Sequence, residues 1–339
     1  MTAPQPTARP ANRRFRRVLL GSLLTVVVGT GVMTAWMLRD PMPYFAERRS
    51  PLASVDEGEA TRSAGHVSQA VRLTAANGLS AELLIRYPEP TAGNGPALDA
   101  AAAGPMLAAP QEPDAKRPAF LILGGYRTGD RAATLVEDTH GVIVAALSYP
   151  YEGPLNPKGL DVLPLVPAIR RAIFDTPPAV LLALEYLRTR PDVDPQRIEL
   201  VGASFGAPFA TIAAVLDSSV SRLWLVHAAG QPFTLIDHGL KKSISFAPAR
   251  WLVAGIANVL AAGPRLTSEV WLPQVAPRPV IMINASDDER LPRPAIEALH
   301  AAAREPKEVI WLPGLHVQSN RQDVIRGLVE TVLARAGQP

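Results

Sequence analysis

One serine in the chain stands between two glycines, each two residues away: Gly202-Ala203-Ser204-Phe205-Gly206. The apolar run Ile198-Glu199-Leu200-Val201 leads into it, and a helical pattern follows from about 206. A serine hydroxyl attacks carbonyl carbon only when a neighbouring base takes its proton. The spacing suits a strained strand-to-helix turn that lifts the hydroxyl clear of the chain. Gly202 and Gly206 carry no side chain to clash with the tight turn or with adjacent backbone. The new helix points its free N–H groups at the serine. Pro208 falls in the first turn, where its missing N–H costs nothing. In this setting G-x-S-x-G reads as a nucleophile elbow, and the expected chemistry is acyl transfer through Ser204.

The base must be one of six histidines. His66 precedes most of the sheet pattern, His140 precedes a strand, His238 falls in a helical insertion and His300 on a helix. His227 ends a strand, so it is either near the site or a core histidine. His316, in LPGLHVQS, follows the last strand in a short loop. That position projects a side chain over the C-terminal edge of an open sheet, where ligands bind, and His316 is the expected base. A third group must orient the imidazole. The stretch MINASDDERLP (282–292) follows the preceding strand and offers Asp287, Asp288 and Glu289.

The elements that would position these residues are strands alternating with helices. Apolar runs at 119–123, 142–147, 197–201, 222–226, 279–283 and 307–311 read as buried strands. Helical patterns cover about 129–139, 177–189, 206–216, 294–304 and 319–335. Such alternation implies an α/β protein with a mostly parallel sheet flanked by helices. Ahead of it, 66–88 alternates on both sides of Asn77-Gly78 and reads as a hairpin of strands 67–74 and 79–87. Residues 88–118 are rich in Pro, Ala and Gly and read as a flexible loop. Residues 229–276 hold no clear strand and read as a small helical cap. Its apolar Phe246, Trp251, Leu252, Ile256, Val259 and Leu260 either line an acyl pocket or pack within the cap.

From about residue 66 to the end the chain resembles the α/β-hydrolase superfamily. VDPQRIELVGASFGAPFA (193–210) is similar to its dienelactone-hydrolase and prolyl-oligopeptidase-like branch, where D-P-x-R-I commonly leads into the nucleophile strand. The order serine, acid, histidine is the one this architecture uses. The branch's acid loop often reads Gly-x-x-Asp with a proline four residues on. Asp288 stands four before Pro292, with Ala285 in the glycine's place, so the resemblance selects Asp288 and leaves Asp287 and Glu289 as solvated loop residues. One oxyanion donor should be the N–H of Phe205, the residue after the nucleophile. The resemblance takes the second from the loop Gly124-Gly125-Tyr126, as the N–H of Tyr126, with Gly125 as the fallback. It implies a serine hydrolase of carboxylic esters or thioesters, working through an acyl-enzyme on a small-molecule acyl substrate without cofactor or metal. A serine peptidase of the same fold, a transferase passing the acyl group to an acceptor other than water, and a catalytically silent binding protein are the alternatives.

The chain of 339 residues is 47% apolar and has no cysteine, which excludes disulfides, a thiol nucleophile and thiolate-bound metal. Its net charge is +3, yet five arginines between Arg9 and Arg17 supply +5, so the remainder carries about −2 and no nucleic-acid-binding face is implied. The basic segment 1–17 precedes 21 uncharged residues, 18–38, long enough to cross a bilayer. The expected organisation is therefore a cytoplasmic 1–17, a transmembrane signal anchor 18–38, a tether 39–65 and a hydrolase domain 66–339 outside the cytoplasmic membrane. A cleaved export signal and a buried core helix are the other readings of 18–38.

Overall fold

The computed structural model describes residues 28–63, 65–89, 116–157 and 159–336. The chain divides at Asp40/Pro41 into two units. In the first, residues 28–37 form helix α1. Among the described residues no helix is long and apolar enough to cross a membrane; 18–27 of the expected span lie outside them.

The second unit begins at once with regular structure. Helix α2 (Met42–Arg48) is followed by β1 (Leu52–Glu57) and β2 (Thr61–Ser63), both antiparallel to β3 (His66–Ala75). The expectation of a tether over 39–65 is therefore corrected. The prolines and charges of this stretch make specific contacts. Phe45 is buried, its ring 6.3 Å from that of Phe174 and 6.1 Å from that of Trp271. Arg48 donates from Nε and Nη2 to the two carboxylate oxygens of Asp175, at 2.8 and 3.0 Å, and Tyr44 Oη donates to the same group at 2.6 Å.

β3 and β4 (Ser80–Pro88) form the expected hairpin across Asn77-Gly78, with Gly78 at φ +82°. The expected loop 88–118 lies mostly outside the described residues. Then come β5 (Arg117–Leu123), β6 (Ile143–Leu147), α3 (Val166–Thr189), β7 (Val193–Ala203), α4 (Ala207–Leu216) and β8 (Arg222–Val226). Four helices, α5 (Pro232–Leu240), α6 (Ala247–Leu260), α7 (Gly263–Leu266) and α8 (Ser268–Trp271), fill the interval read as a cap. The chain ends with β9 (Val280–Ala285), α9 (Arg293–Ala302), β10 (Lys307–Leu312) and α10 (Gln322–Ala336).

The strands lie in the order β1-β3-β4-β6-β5-β7-β8-β9-β10, with β2 also on β3. From β6 to β10 every pairing is parallel. Strands β6, β8 and β9 are buried at every residue, as strands covered on both faces must be. The chain steps from β5 to β6 on one side and returns to β7 on the other. The ends of β5 and β7 therefore stand side by side, Leu123 beside Gly202, at a switch point where open α/β sheets leave a crevice.

Two helices differ from their sequence patterns. The helix expected over 129–139 is a 3₁₀ turn, Gly129–Leu135. The chain must already bend back into β6, with His140 at φ +47° and Gly141 at φ +84°, which leaves too few residues for more. Conversely, α3 starts eleven residues before the expected 177. Pro177 and Pro178 lie inside the helix, where near-continuous burial of Phe174–Leu187 outweighs the lost hydrogen bonds.

A linker residue could be truncated at no cost, whereas a buried phenylalanine could not. Phe45→Ala should lower the free energy of unfolding by about 3–5 kcal/mol in urea titration, and a neutral result would return this stretch to a tether.

Candidate active site

Ser204 follows the last residue of β7 and lies in the left-handed region, at φ +51°. A 3₁₀ turn, Ser204–Gly206, carries the chain into α4, which has proline in its first turn. A Cβ on Gly202 would meet Ala207 Cα at 2.7 Å and Ala210 Cβ at 2.8 Å, and one on Gly206 would overlap the backbone carbonyl of Leu123. Gly202 lets the strand close against α4, and Gly206 lets the turn close against β5.

The structure brings Ser204, His316 and Asp288 together. His316 Nε2 lies 2.9 Å from Ser204 Oγ, and His316 Nδ1 lies 2.8 Å from Asp288 Oδ2. The histidine and the Asp288 carboxylate are both buried. The other oxygen of Asp288 accepts the N–H groups of Arg290 and Leu291, each at 2.9 Å. Burial alone would raise the Asp288 pKa, but the bond to His316, its charge and these two N–H groups hold it below the ordinary carboxylate range. The acid is thus ionised whenever the imidazole needs it. Asp287 is exposed; its carboxylate accepts from Ser286 Oγ at 3.0 Å and its N–H donates to the Gly314 carbonyl at 3.1 Å.

Glu289, expected as a solvated loop residue, instead clamps the histidine. Its Oε2 accepts the His316 N–H at 2.9 Å, and its Oε1 accepts from Arg321 Nη1 at 2.9 Å. Arg321 Nη1 also donates to the His316 carbonyl at 2.6 Å. Burial would raise the Glu289 pKa, but the His316 N–H and the Arg321 guanidinium bring it down to about 2. Glu289 and His316 stand 27 residues apart on neighbouring loops, and no spacing rule pairs them. The adjacency of β9 and β10 does.

His227 resolves both of its sequence readings at once: it is a core residue and it is beside the site. It ends β8 at φ +46°, and its ring stands edge-on to that of His316, 5.4 Å between centres. Its Nδ1 accepts the Val317 N–H at 2.9 Å, so the ring proton belongs on Nε2. The remaining histidines bond elsewhere: His66 accepts from Thr139 N, and His300 Nε2 lies 2.9 Å from Asn284 Oδ1.

The loop after β5 carries Gly124-Gly125-Tyr126 past the serine. The rings of Tyr126 and Phe205 meet edge to face at 5.8 Å, which brings together the two residues expected to donate to an oxyanion. Phe205 stands where a helix begins and its N–H groups lack intrahelical partners. A residue absent from the sequence reading braces both loops. Tyr149 donates its hydroxyl to the Gly124 carbonyl, and its ring packs on Phe205 and Phe209. Its surroundings, SYPYEG, carry no motif that would have singled it out.

Among the described residues, His227, Asp288 and His316 are the group of side chains close enough to hold a metal, but their facing atoms bond one another and the Val317 N–H. The serine opens onto a cavity of about 810 Å³ lined mainly by apolar side chains, with cap residues Leu235, Ile236 and Leu266 among them. Four of the cap residues expected in a pocket or in packing do neither. Phe246, Trp251, Leu252 and Ile256 are 52–67% exposed, because α6 rests on α5 and α7 with Ala254 its one fully buried residue.

Burial, and then the neighbouring His316, push the His227 pKa from 6.5 down to about 4. In that interval the unfolded chain binds a proton that the folded protein refuses. Stability should therefore fall as pH drops from about 6.5 to 4, by on the order of 3 kcal/mol. Urea unfolding at pH 7 and pH 5 should show this slope in the native protein and a flatter one in His227→Gln.

No protein-family model matches the chain. It is 28% identical to the uncharacterized protein YfhR of Salmonella typhi over 138 residues, 40% of this chain and 46% of that one. It is 28% identical to the uncharacterized protein Rv2307c of Mycobacterium tuberculosis over 221 residues, 62% of this chain and 66% of that one. The matched part thus spans under half of the first relative and just under two thirds of the second. Among solved structures, acetyl xylan esterase 1 from Thermoanaerobacterium sp. JW/SL YS485 superposes with a TM-score of 0.56 at 14% identity, over 87% of this chain and 94% of that one. With its switch-point crevice, parallel sheet and flanking helices, the chain has the α/β-hydrolase fold.

Proposed function

We propose that the protein is a serine hydrolase of carboxylic esters or thioesters. The observation that carries this reading is the unbroken line of two hydrogen bonds from Ser204 through His316 to Asp288, at the wall of an apolar cavity. Ser204 Oγ attacks the substrate carbonyl as His316 Nε2 takes its proton. Asp288 keeps the imidazole in the tautomer with its proton on Nδ1 and stabilises the imidazolium. The N–H groups of Phe205 and Tyr126, with Gly125 as the fallback, hold the oxyanion. His316 then returns the proton to the leaving group, and water attacks the acyl-enzyme by the same route in reverse. Esterases among proteins of this fold, such as the acetyl xylan esterase above, favour an ester over a peptide substrate.

In this reading residues 18–38 anchor the enzyme in the cytoplasmic membrane, with the arginine-rich end inside and the catalytic unit outside. The support is the sequence: 21 uncharged residues behind an arginine cluster.

A fluorophosphonate probe should label the native protein and leave Ser204→Ala unlabelled; equal labelling would remove Ser204 as the nucleophile. Hydrolysis of an aryl ester should fall about 10⁴-fold in Asp288→Asn, which keeps the shape and loses the charge. A reporter enzyme fused to the C-terminus should be active only outside the cytoplasm, and cytoplasmic activity would overturn the topology.

A further inference from the structure

The cavity at Ser204 is larger than the chemistry of an ester bond requires. Beyond His316 and Val317 its lining continues to Ile325, Leu328, Val332 and Leu333 of α10. On the opposite side it is walled by the sheet face of Phe120, Val144, Val201 and Val226. The origin of this arm is visible in the fold. The segment after β5 supplies only the seven-residue turn Gly129–Leu135, so this face of the sheet is covered by that turn and α10 rather than by two full helices.

The arm's wall is mainly aliphatic and aromatic, with Thr139 and, just ahead of α10, Gln318, Ser319 and Asn320 as its polar residues; the charged side chains of the whole lining, Arg127 and Arg290, are both exposed to solvent. From Ile325 to Leu333 the helix rises about 12 Å. Apolar lining along α10 and the facing sheet, in the same cavity as Ser204, fits a long unbranched hydrocarbon. An acetyl group would leave it empty, and a peptide would bury unpaired amides in it.

We infer that the enzyme's acyl substrate is a long-chain fatty acyl ester or thioester, with the tail seated between α10 and the sheet. This rests on the hydrolase reading above and names its substrate class. Ser204 Oγ forms the new bond to the acyl carbon, the bond to the leaving oxygen or sulfur breaks, and the leaving group departs with the proton from His316. The tail stays in the arm while water, giving up its proton to His316, releases the fatty acid and restores Ser204.

The test is a chain-length series of p-nitrophenyl esters from acetate to laurate on the native protein, on Val332→Trp and on Trp251→Ala. Each methylene buried in the arm contributes about fourfold to kcat/KM. Native kcat/KM should therefore rise at least about 100-fold from acetate to laurate. Val332→Trp, which plugs the arm, should lower the laurate-to-acetate ratio by about thirtyfold or more. Trp251, exposed outside the cavity, should leave that ratio unchanged on substitution. A long-chain alkyl fluorophosphonate should also label the native protein faster than a methyl one, a readout that needs no variant. Laurate turned over no faster than acetate, or an unchanged ratio in Val332→Trp, would overturn the acyl arm while leaving the hydrolase reading intact. Neither ester turned over and no label on Ser204 would overturn both.

Discussion

The backbone carbonyl of Leu123 occupies the space that a side chain on residue 206 would need. This contact ties the end of β5 to the turn after β7, and the site depends on it. It lets a non-glycine residue, Ser204, hold a left-handed conformation that costs on the order of 1–2 kcal/mol on its own. The neighbouring strands over-determine the turn, so the strain persists. It also sets the loop that follows Leu123 against the one carrying Phe205, with the Tyr149 ring and hydroxyl bracing the pair. Parallel pairing of β5 with β7 is what makes such an approach possible.

The second half of the site is held by a different device. The main chain at His316 is fixed at three consecutive polar groups: its N–H by Glu289, its carbonyl by Arg321 and the next N–H by His227. A histidine at the end of a loop would otherwise sample many rotamers and backbone states, each ordering step costing about 1–2 kcal/mol. Here that cost is met in folding, and the imidazole arrives already aimed. Hydrogen bonds with one charged partner contribute more than neutral ones, about 1.5–3 kcal/mol each, so Glu289 and Arg321 dominate the clamp. His227 adds a neutral acceptor where an anionic one would repel Asp288.

The parallel sheet and the positions of Ser204 and His316 were legible in the sequence because each is marked by a local constraint, whereas Asp288 was picked out of its acidic run by the family resemblance. Continuous apolar runs mark buried strands, paired glycines mark a close backbone approach, and the acid and histidine follow strands at their C-terminal ends. Glu289 and Tyr149 were not legible as site residues because their roles arise between segments far apart in sequence, and for the same reason His227 was legible as a neighbour of the site but not as the acceptor for Val317. The misread helices have separate causes. Residues 129–139 have a helical pattern but no room for a helix, and Pro177-Pro178 carry a start signal that core burial overrides. Residues 39–65 read as a tether because their apolar contribution rests on few residues, Phe45 above all. On α6 periodicity was visible, yet it could not tell whether the apolar stripe faces inward; Trp251, Leu252 and Ile256 face water.

The place of β10 at one edge of the sheet has a consequence for how the protein fails. His316 sits just beyond a strand that is hydrogen-bonded on one side only and half open to solvent. Edge elements open locally at free energies well below that of global unfolding. Ser204, by contrast, belongs to the sheet's interior. Warming would therefore part His316 from Ser204 while most of the core remained packed. The Ser204–His316 bond and the core have different melting points in such an arrangement, and the gap between them measures the hold of one strand.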